Sequence, residues 1–158
     1  MKRALTAILA ILALCQVAEA AKTAAPQGDP IPKAKAFFQH YVELEHAFDP
    51  AIADLYSDQA VIKSTRYLAD GKVVPMTVPA VSYKKALRNY IATKARQIGD
   101  VSNYTNDVYT VEGKRVRITV TRYSSLQKVS SPVSLLVGPD PAGKWLIYEE
   151  LSESHLKR

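Results

Sequence analysis

The strictest hydrophobic pattern in the chain runs from Arg115 to Tyr123. Val116, Ile118 and Val120 alternate with Arg117, Thr119 and Thr121, which is the period of a strand with one buried and one wet face. Glu112-Gly113-Lys114 precedes it and supplies a hairpin connection, because glycine tolerates positive φ. A second break runs from Gly138 to Gly143 and contains Pro139 and Pro141; it reads as a loop. These signals predict one antiparallel meander with strands over 107–112, 115–124, 132–137 and 145–152. Arg122 falls on the parity of the apolar residues, so it is expected to point inward. A guanidinium in that position needs an anion.

Upstream the period changes to that of a helix. Phe37, Tyr41, Leu44 and Phe48, flanked by Phe38 and Val42, predict a helix over 33–48 whose apolar stripe lies on the sheet. Tyr41 sits within that stripe, so its hydroxyl must end near a partner or a cavity. Asp49-Pro50 signals a new start, with Asp49 as N-cap of a short helix over 51–56. A strand over 60–68, a turn at Asp70-Gly71 and a return over 72–78 follow. Pro75 and Pro79 confine the returning strand to an edge. Ser82 is the expected N-cap of a third helix over 83–98, which Gly99 ends. Its inner stripe is Leu87, Tyr90, Ile91, Ala95 and Ile98, and its other face carries Lys84, Lys85, Arg88, Lys94 and Arg96. The resulting order, α-α-β-β-α-β-β-β-β, predicts an α+β fold in which a curved antiparallel sheet wraps three helices.

The first twenty residues carry a different signal. Lys2-Arg3 is followed by an apolar run from Ala4 to Leu14 and by Ala18-Glu19-Ala20, the pattern of a secretory signal peptide cleaved after Ala20. The apolar run is short for a membrane span, so no stable span is expected after cleavage. Residues 21–32 read as a proline-containing leader, 33–154 as the folded domain and 155–158 as a tail. Cys15 is the one cysteine and leaves with the signal, so the mature chain has no disulfide and no thiolate nucleophile or ligand. That usage, with the signal, points to a bacterial periplasm. The chain holds 21 basic and 15 acidic residues; removing Lys2, Arg3 and Glu19 leaves 19 and 14, a net charge of +5. So mild an excess reads as a solvated surface that favours anionic partners, with no nucleic acid implied. His40, His46 and His155 lack a paired metal-ligand spacing, and no cofactor is expected.

Three stretches carry a resemblance: Gln39-His40-Tyr41-Val42 in the first helix, Leu55-Tyr56-Ser57-Asp58-Gln59-Ala60-Val61 leading into the first strand, and Gly143-Lys144-Trp145-Leu146-Ile147 opening the last. With the element order, they resemble the nuclear transport factor 2-like superfamily, which includes ketosteroid isomerase and scytalone dehydratase. The resemblance covers 33–154. It implies a conical pocket enclosed by the sheet and, in many members, a homodimer through the outer sheet face. It also implies a role for Tyr41, which matches the isomerase tyrosine donor. The positions of the two isomerase acids fall on Ser64 and Ser134, which cannot take up a proton unaided, so the resemblance argues against that reaction. The histidines of a dehydratase-like site are not matched either, since His40 points about 100° around the helix from Tyr41.

Strand parity offers a different cluster. Ile62, Ser64, Arg66 and Leu68 share a face, and the last strand is expected to present Tyr148 and Glu150 inward unless a one-residue slip selects Glu149. The candidate pocket residues are therefore Tyr41, Ser64, Arg66, Arg122, Ser134 and Glu150. Arg122 and the glutamate could form a structural ion pair, or the arginine could bind a ligand carboxylate. Tyr104, Tyr109 and Tyr123 are expected on the outer face or at a dimer contact. The functional expectation is a secreted, non-enzymatic domain that binds a small apolar or anionic molecule or a protein. The alternative is a lyase or isomerase acting on a small carbonyl compound, with Tyr41 as donor and Glu150 as acid or base.

Overall fold

In a computed structural model that describes residues 28–155, the alternating stretch is a strand from Arg115 to Ser124, with Val116, Ile118 and Val120 buried. The expected signal peptide 1–20, residues 21–27 of the expected leader and residues 156–158 lie outside the described residues. The described chain begins with helix α1 (Ile31–His46) and a 3-10 helix (Pro50–Leu55). Strands β1 (Tyr56–Tyr67) and β2 (Val73–Pro79) follow, then helix α2 (Ala80–Tyr90). A π turn (Ile91–Ala95) and a last α turn (Arg96–Ile98) extend α2. The remaining strands are β3 (Ser102–Glu112), β4 (Arg115–Ser124), β5 (Val129–Pro139) and β6 (Trp145–His155).

The six strands form one curved sheet in the order β2-β1-β6-β5-β4-β3. Every neighbouring pair is antiparallel except β1 and β6, which are parallel. The long excursion through α2 and the meander makes that parallel pairing possible. The concave face buries Ile62, Ile118, Leu135, Val137 and Ile147 against Ala34, Phe37 and Phe38 of α1, Ile52 and Leu55 of the 3-10 helix, and Ile91 and Ala95 of the π turn. The helices thus fill the sheet's concave side as the periodicity predicts.

The boundaries differ in instructive places. Helix α1 starts at Ile31, two residues before the expected start, because Pro32 falls in its first turn where no backbone N–H is required and Asp29 accepts from the Ile31 N–H at 3.0 Å. It ends at His46 because Phe48 adopts φ 53° and the Asp49 N–H turns back to Leu44. Asp49 does cap the 3-10 helix, accepting from the Ala51 N–H at 2.8 Å. Ser82 is not an N-cap: β2 runs directly through Pro79 into α2, so the helix begins at Ala80 and Ser82 lies exposed in its first turn. Gly99 ends the helix in the left-handed conformation.

Two bulges reset strand parity. The β3–β4 register shifts between Thr105 and Val108, where Asn106 has φ 57°. On β6 the register shifts around Tyr148, so that Ile147 and Glu150 both face inward. Tyr148 therefore faces outward, with the Arg115 guanidinium 3.6 Å from its ring centroid, which corrects the expected inward Tyr148.

Gly138 is required for space. A Cβ there would lie 2.8 Å from Arg115 Cγ, 3.2 Å from Lys114 O and 3.3 Å from Arg115 Cα. Gly138→Ala is expected to lower stability by about 1–3 kcal/mol through overpacking between β5 and β4; urea denaturation measures it, and an unchanged midpoint would refute the tight contact.

Candidate functional site

The chemistry-bearing residues of the concave face meet at Glu150. Its carboxyl is 6% exposed and is held by two phenols: Tyr56 Oη donates to Oε2 at 2.5 Å, and Tyr83 Oη lies 3.2 Å from Oε2 and 3.3 Å from Oε1. The two rings meet edge-on, 5.2 Å between centroids. Each comes from a different element. Tyr56 opens β1 directly after the 3-10 helix, Tyr83 sits one turn before Leu87 on α2, and Glu150 is turned inward by the β6 bulge. Tyr41 of α1 stands beside them. Its ring stacks on Phe38 at 6.0 Å and meets Tyr104 edge-on at 6.2 Å. Burial, then the nearby Glu150 and Glu45 carboxyls, push the Tyr41 phenol well above its ordinary range, although Tyr56 and Tyr104 contribute hydrogen bonds that oppose the shift. Tyr56 and Tyr83 are raised for the same leading reasons.

A second polar group adjoins the first. Tyr104 Oη donates to Glu45 Oε2 at 2.8 Å, and Tyr104 is the cross-strand partner of Arg122. Burial raises the Glu45 carboxyl, against the lowering effect of the Tyr104 and Ser102 hydrogen bonds and of the His46 and Arg122 charges. Arg122 points inward as its parity predicts, and its Nη2 donates to Glu153 O at 3.0 Å. Its Nε is enclosed with no hydrogen-bond partner among the described residues.

Of the six expected pocket residues, the structure brings Tyr41 and Glu150 into one cluster and Arg122 into the adjoining one. Ser64 is half-buried on β1 between Met76 and Ser152. Arg66 shares its parity but is exposed, because it lies near the strand's end, where a long side chain reaches water. Ser134 lies on the outer face and accepts from Arg117 Nη1 at 3.0 Å. Its cross-strand partner is Thr119, itself an outward position, so the inward placement is corrected. No Arg122–glutamate ion pair forms: Glu150 is occupied by tyrosines, and Glu149 pairs with Arg117 on the outer face at 2.8 Å. Tyr104 and Tyr109 face α1 rather than the outer face, since the β3 bulge lets both turn inward; Lys35 lies over the Tyr109 ring at 5.4 Å, and Tyr123, 37% exposed, alone of the three lies on the outer face.

Tyr83 and Glu45 carried a sequence signal that was passed over. Tyr83 precedes Leu87, Tyr90 and Ile91 at helical spacing, and Glu45 follows Tyr41 by one turn. Tyr56, expected at the end of the helix over 51–56 and within the resembling stretch 55–61, instead opens β1.

Space around these groups is uneven. Among the described residues, five surface cavities of about 320–440 Å3 are lined by other side chains and not by Tyr41, Tyr83 or Glu150. A groove of about 430 Å3 between α1 and β3 does reach Tyr104, with Phe38, Val42 and Tyr109 as apolar walls and Lys35, His46 and Asp107 among the polar residues beside them.

This geometry can be compared with solved structures. A nuclear transport factor 2-like protein from Cytophaga hutchinsonii superposes with a TM-score of 0.56 at 7% identity, covering 80% of this chain and 98% of that one. The chain has the nuclear transport factor 2-like fold. A protein of unknown function from Mycobacterium tuberculosis shares that fold with this chain at a TM-score of 0.54 and 18% identity, over 77% of this chain and 69% of the other. A candidate ketosteroid isomerase from Parabacteroides distasonis gives 0.51 at 10% identity, over 76% and 83%. No protein-family model matches the chain, and no curated protein matches it. The fold is therefore shared with proteins of several kinds, and function rests on the site.

Two variants test the cluster. Tyr56→Phe removes the short bond and leaves a buried carboxyl oxygen unsatisfied, so stability is expected to fall by about 1–3 kcal/mol. Tyr83→Phe, which removes the longer contacts, is expected to cost less; denaturation of both variants measures the order, and the reverse order would refute the assignment. The Glu45 shift has a definite sign. A carboxyl raised in the folded state binds more protons there than in the unfolded chain, so its contribution is full at and below the ordinary value of 4.5 and is lost as pH rises through the folded value. Glu45→Gln keeps an acceptor for Tyr104 and removes the titration. Its Tm relative to wild type is expected to improve from pH 4.5 to pH 8, and a pH-independent difference would refute the raised carboxyl.

Proposed function

We propose that this chain is an exported, non-enzymatic domain that binds a small carboxylate-bearing molecule through the groove between α1 and β3. The observation that carries the reading is the enclosed, unpartnered Nε of Arg122. An orphaned N–H of this kind costs about 1–3 kcal/mol, and a ligand oxygen removes that cost. Carboxylates suit a guanidinium because they accept two parallel N–H donors. Tyr104 connects the two features, since it neighbours Arg122 across the sheet and lines the groove. Movement of its phenol would open the guanidinium to a ligand held against Phe38 and Tyr109.

The enzymatic alternative, with Tyr41 as donor and Glu150 as acid or base, has less support. The Glu150 oxygens are engaged by Tyr56 and Tyr83, and serines stand at 64 and 134 where the isomerase resemblance requires acids. Reading residues 1–20 as a cleavable signal supports a periplasmic location, and Val61, Leu151 and Tyr123, exposed on the described surface, suit an outer-face homodimer.

Native mass spectrometry of protein purified from periplasm tests the reading. The expected mass is that of a chain beginning at Ala21, with a small adduct that Arg122→Gln abolishes while its circular dichroism stays unchanged. A thermal-shift series with simple carboxylates accompanies it. Carboxylates that stabilise the wild type and the variant equally, or neither, would overturn the binding reading.

A further inference from the structure

We infer that a second binding site, for a small aromatic carboxylate, lies at the rim where the start of α1 meets the β3–β4 turn and the β5–β6 loop. A cavity of about 340 Å3 opens there, within the range of small-ligand sites. Its apolar side is built by Trp145, Val111, Pro30 and Pro139, and its charged side by Lys33 and Lys114. No acidic residue is among those lining it.

The unneutralised charge points to the ligand. Among the described residues, neither Lys33 nor Lys114 has an ion-pair partner. The nearby carboxylates are committed elsewhere. Asp29 accepts from the Ile31 N–H, and Asp140 Oδ1 accepts from the Ala142 and Lys144 N–H groups at 2.9 and 2.8 Å. Glu112 pairs with Arg117 at 2.6 Å. Two ammonium groups therefore line one cavity, and neither forms an ion pair with a carboxylate among the described residues.

The other wall selects a flat apolar body. Trp145 leans on Phe37 with ring centroids 6.5 Å apart, so the indole is fixed from behind by the core while one side faces the cavity. Its indole N–H has no protein acceptor among the described residues, and donors of this type bind a ligand oxygen when one is present. An aromatic ring resting against Trp145 and Val111, with its carboxylate between the two lysines, uses every feature of the wall. A neutral aromatic forgoes the lysines, and a bare inorganic anion forgoes the apolar wall.

Trp145 is the single tryptophan, so its indole N–H gives a single resonance in a 15N–1H spectrum and reports on this cavity alone. The experiment is a titration of the labelled mature chain with 2-naphthoate, with 2-naphthylmethanol as the neutral control. The expected result is a saturable shift of the indole resonance. Naphthylmethanol, or naphthoate added to a Lys33→Gln, Lys114→Gln double variant, is expected to bind at least about tenfold more weakly. The rest of the variant's spectrum reports that it folds. Arg122→Gln is expected to leave the titration unchanged, which separates this site from the α1–β3 groove. The inference is overturned if naphthoate gives no saturable shift, if the neutral analogue binds equally well, if the double variant binds as the wild type does, or if Arg122→Gln abolishes the shift.

Discussion

A carboxyl inside a protein core is tolerated only when its oxygens are satisfied, and Glu150 is the place where this fold meets that condition. The two phenols that satisfy it come from the start of β1 and from α2, while the carboxyl itself sits on β6. One set of bonds therefore fixes the seam between β1 and β6, the sheet's single parallel pairing, and the helix packed above it. The same device recurs. Glu45 and Tyr104 tie α1 to β3, and Tyr90 donates to Asp100 where the helical segment that continues α2 turns toward β3. Tyrosine suits this use because its ring adds apolar area to the core while its hydroxyl supplies one directed donor. Each major helix is thus attached to the concave face by apolar burial and oriented there by tyrosine–carboxyl bonds.

The fold was legible because β4 alternates without interruption and each helix carries a stripe at helical spacing. The site was legible only in part, and the reason is mechanical. Period-two reasoning assumes an unbroken strand, and a bulge moves every later side chain to the other face. The bulge at Tyr148 explains why Glu150 was placed correctly while Tyr148 was not. The bulge at Asn106 explains why Tyr104 and Tyr109, read as outer-face residues, line the helix side. Ser134 differs for another cause: the distant resemblance places it inward, whereas its register opposite Thr119 on β4 puts it on the outer face. The apolar stripes were read without the polar residues at their margins, Glu45 and Tyr83, and those residues carry much of the cluster.

The charges on the outside follow a different rule. Lys84–Asp58 and Arg88–Asp54 pair across the exposed surface of α2, and the Arg117–Glu112 and Arg117–Glu149 pairs lie across the outer sheet face. The most exposed of them, Arg88–Asp54, contributes little to stability because water and salt screen it. The effect of such pairs is on recognition: a cation already paired offers little to a ligand. The basic stripe expected on the third helix is partly used in this way. Among the described residues the lysines at the α1 rim have no such partner, so the same net positive charge has unequal meaning at different places.

The interior has its own electrostatic logic. Burial holds the phenols of Tyr41, Tyr56, Tyr83 and Tyr104 above their ordinary range, so they stay neutral donors throughout the physiological range. A neutral phenol supplies direction and not charge. It satisfies the carboxyls without drawing in cations, and Arg122 is left as the positive group whose hydrogen-bonding capacity is not exhausted. On the proposed reading, that group receives a molecule that brings its own anionic oxygen once Tyr104, the phenol bordering both the groove and the arginine, gives way.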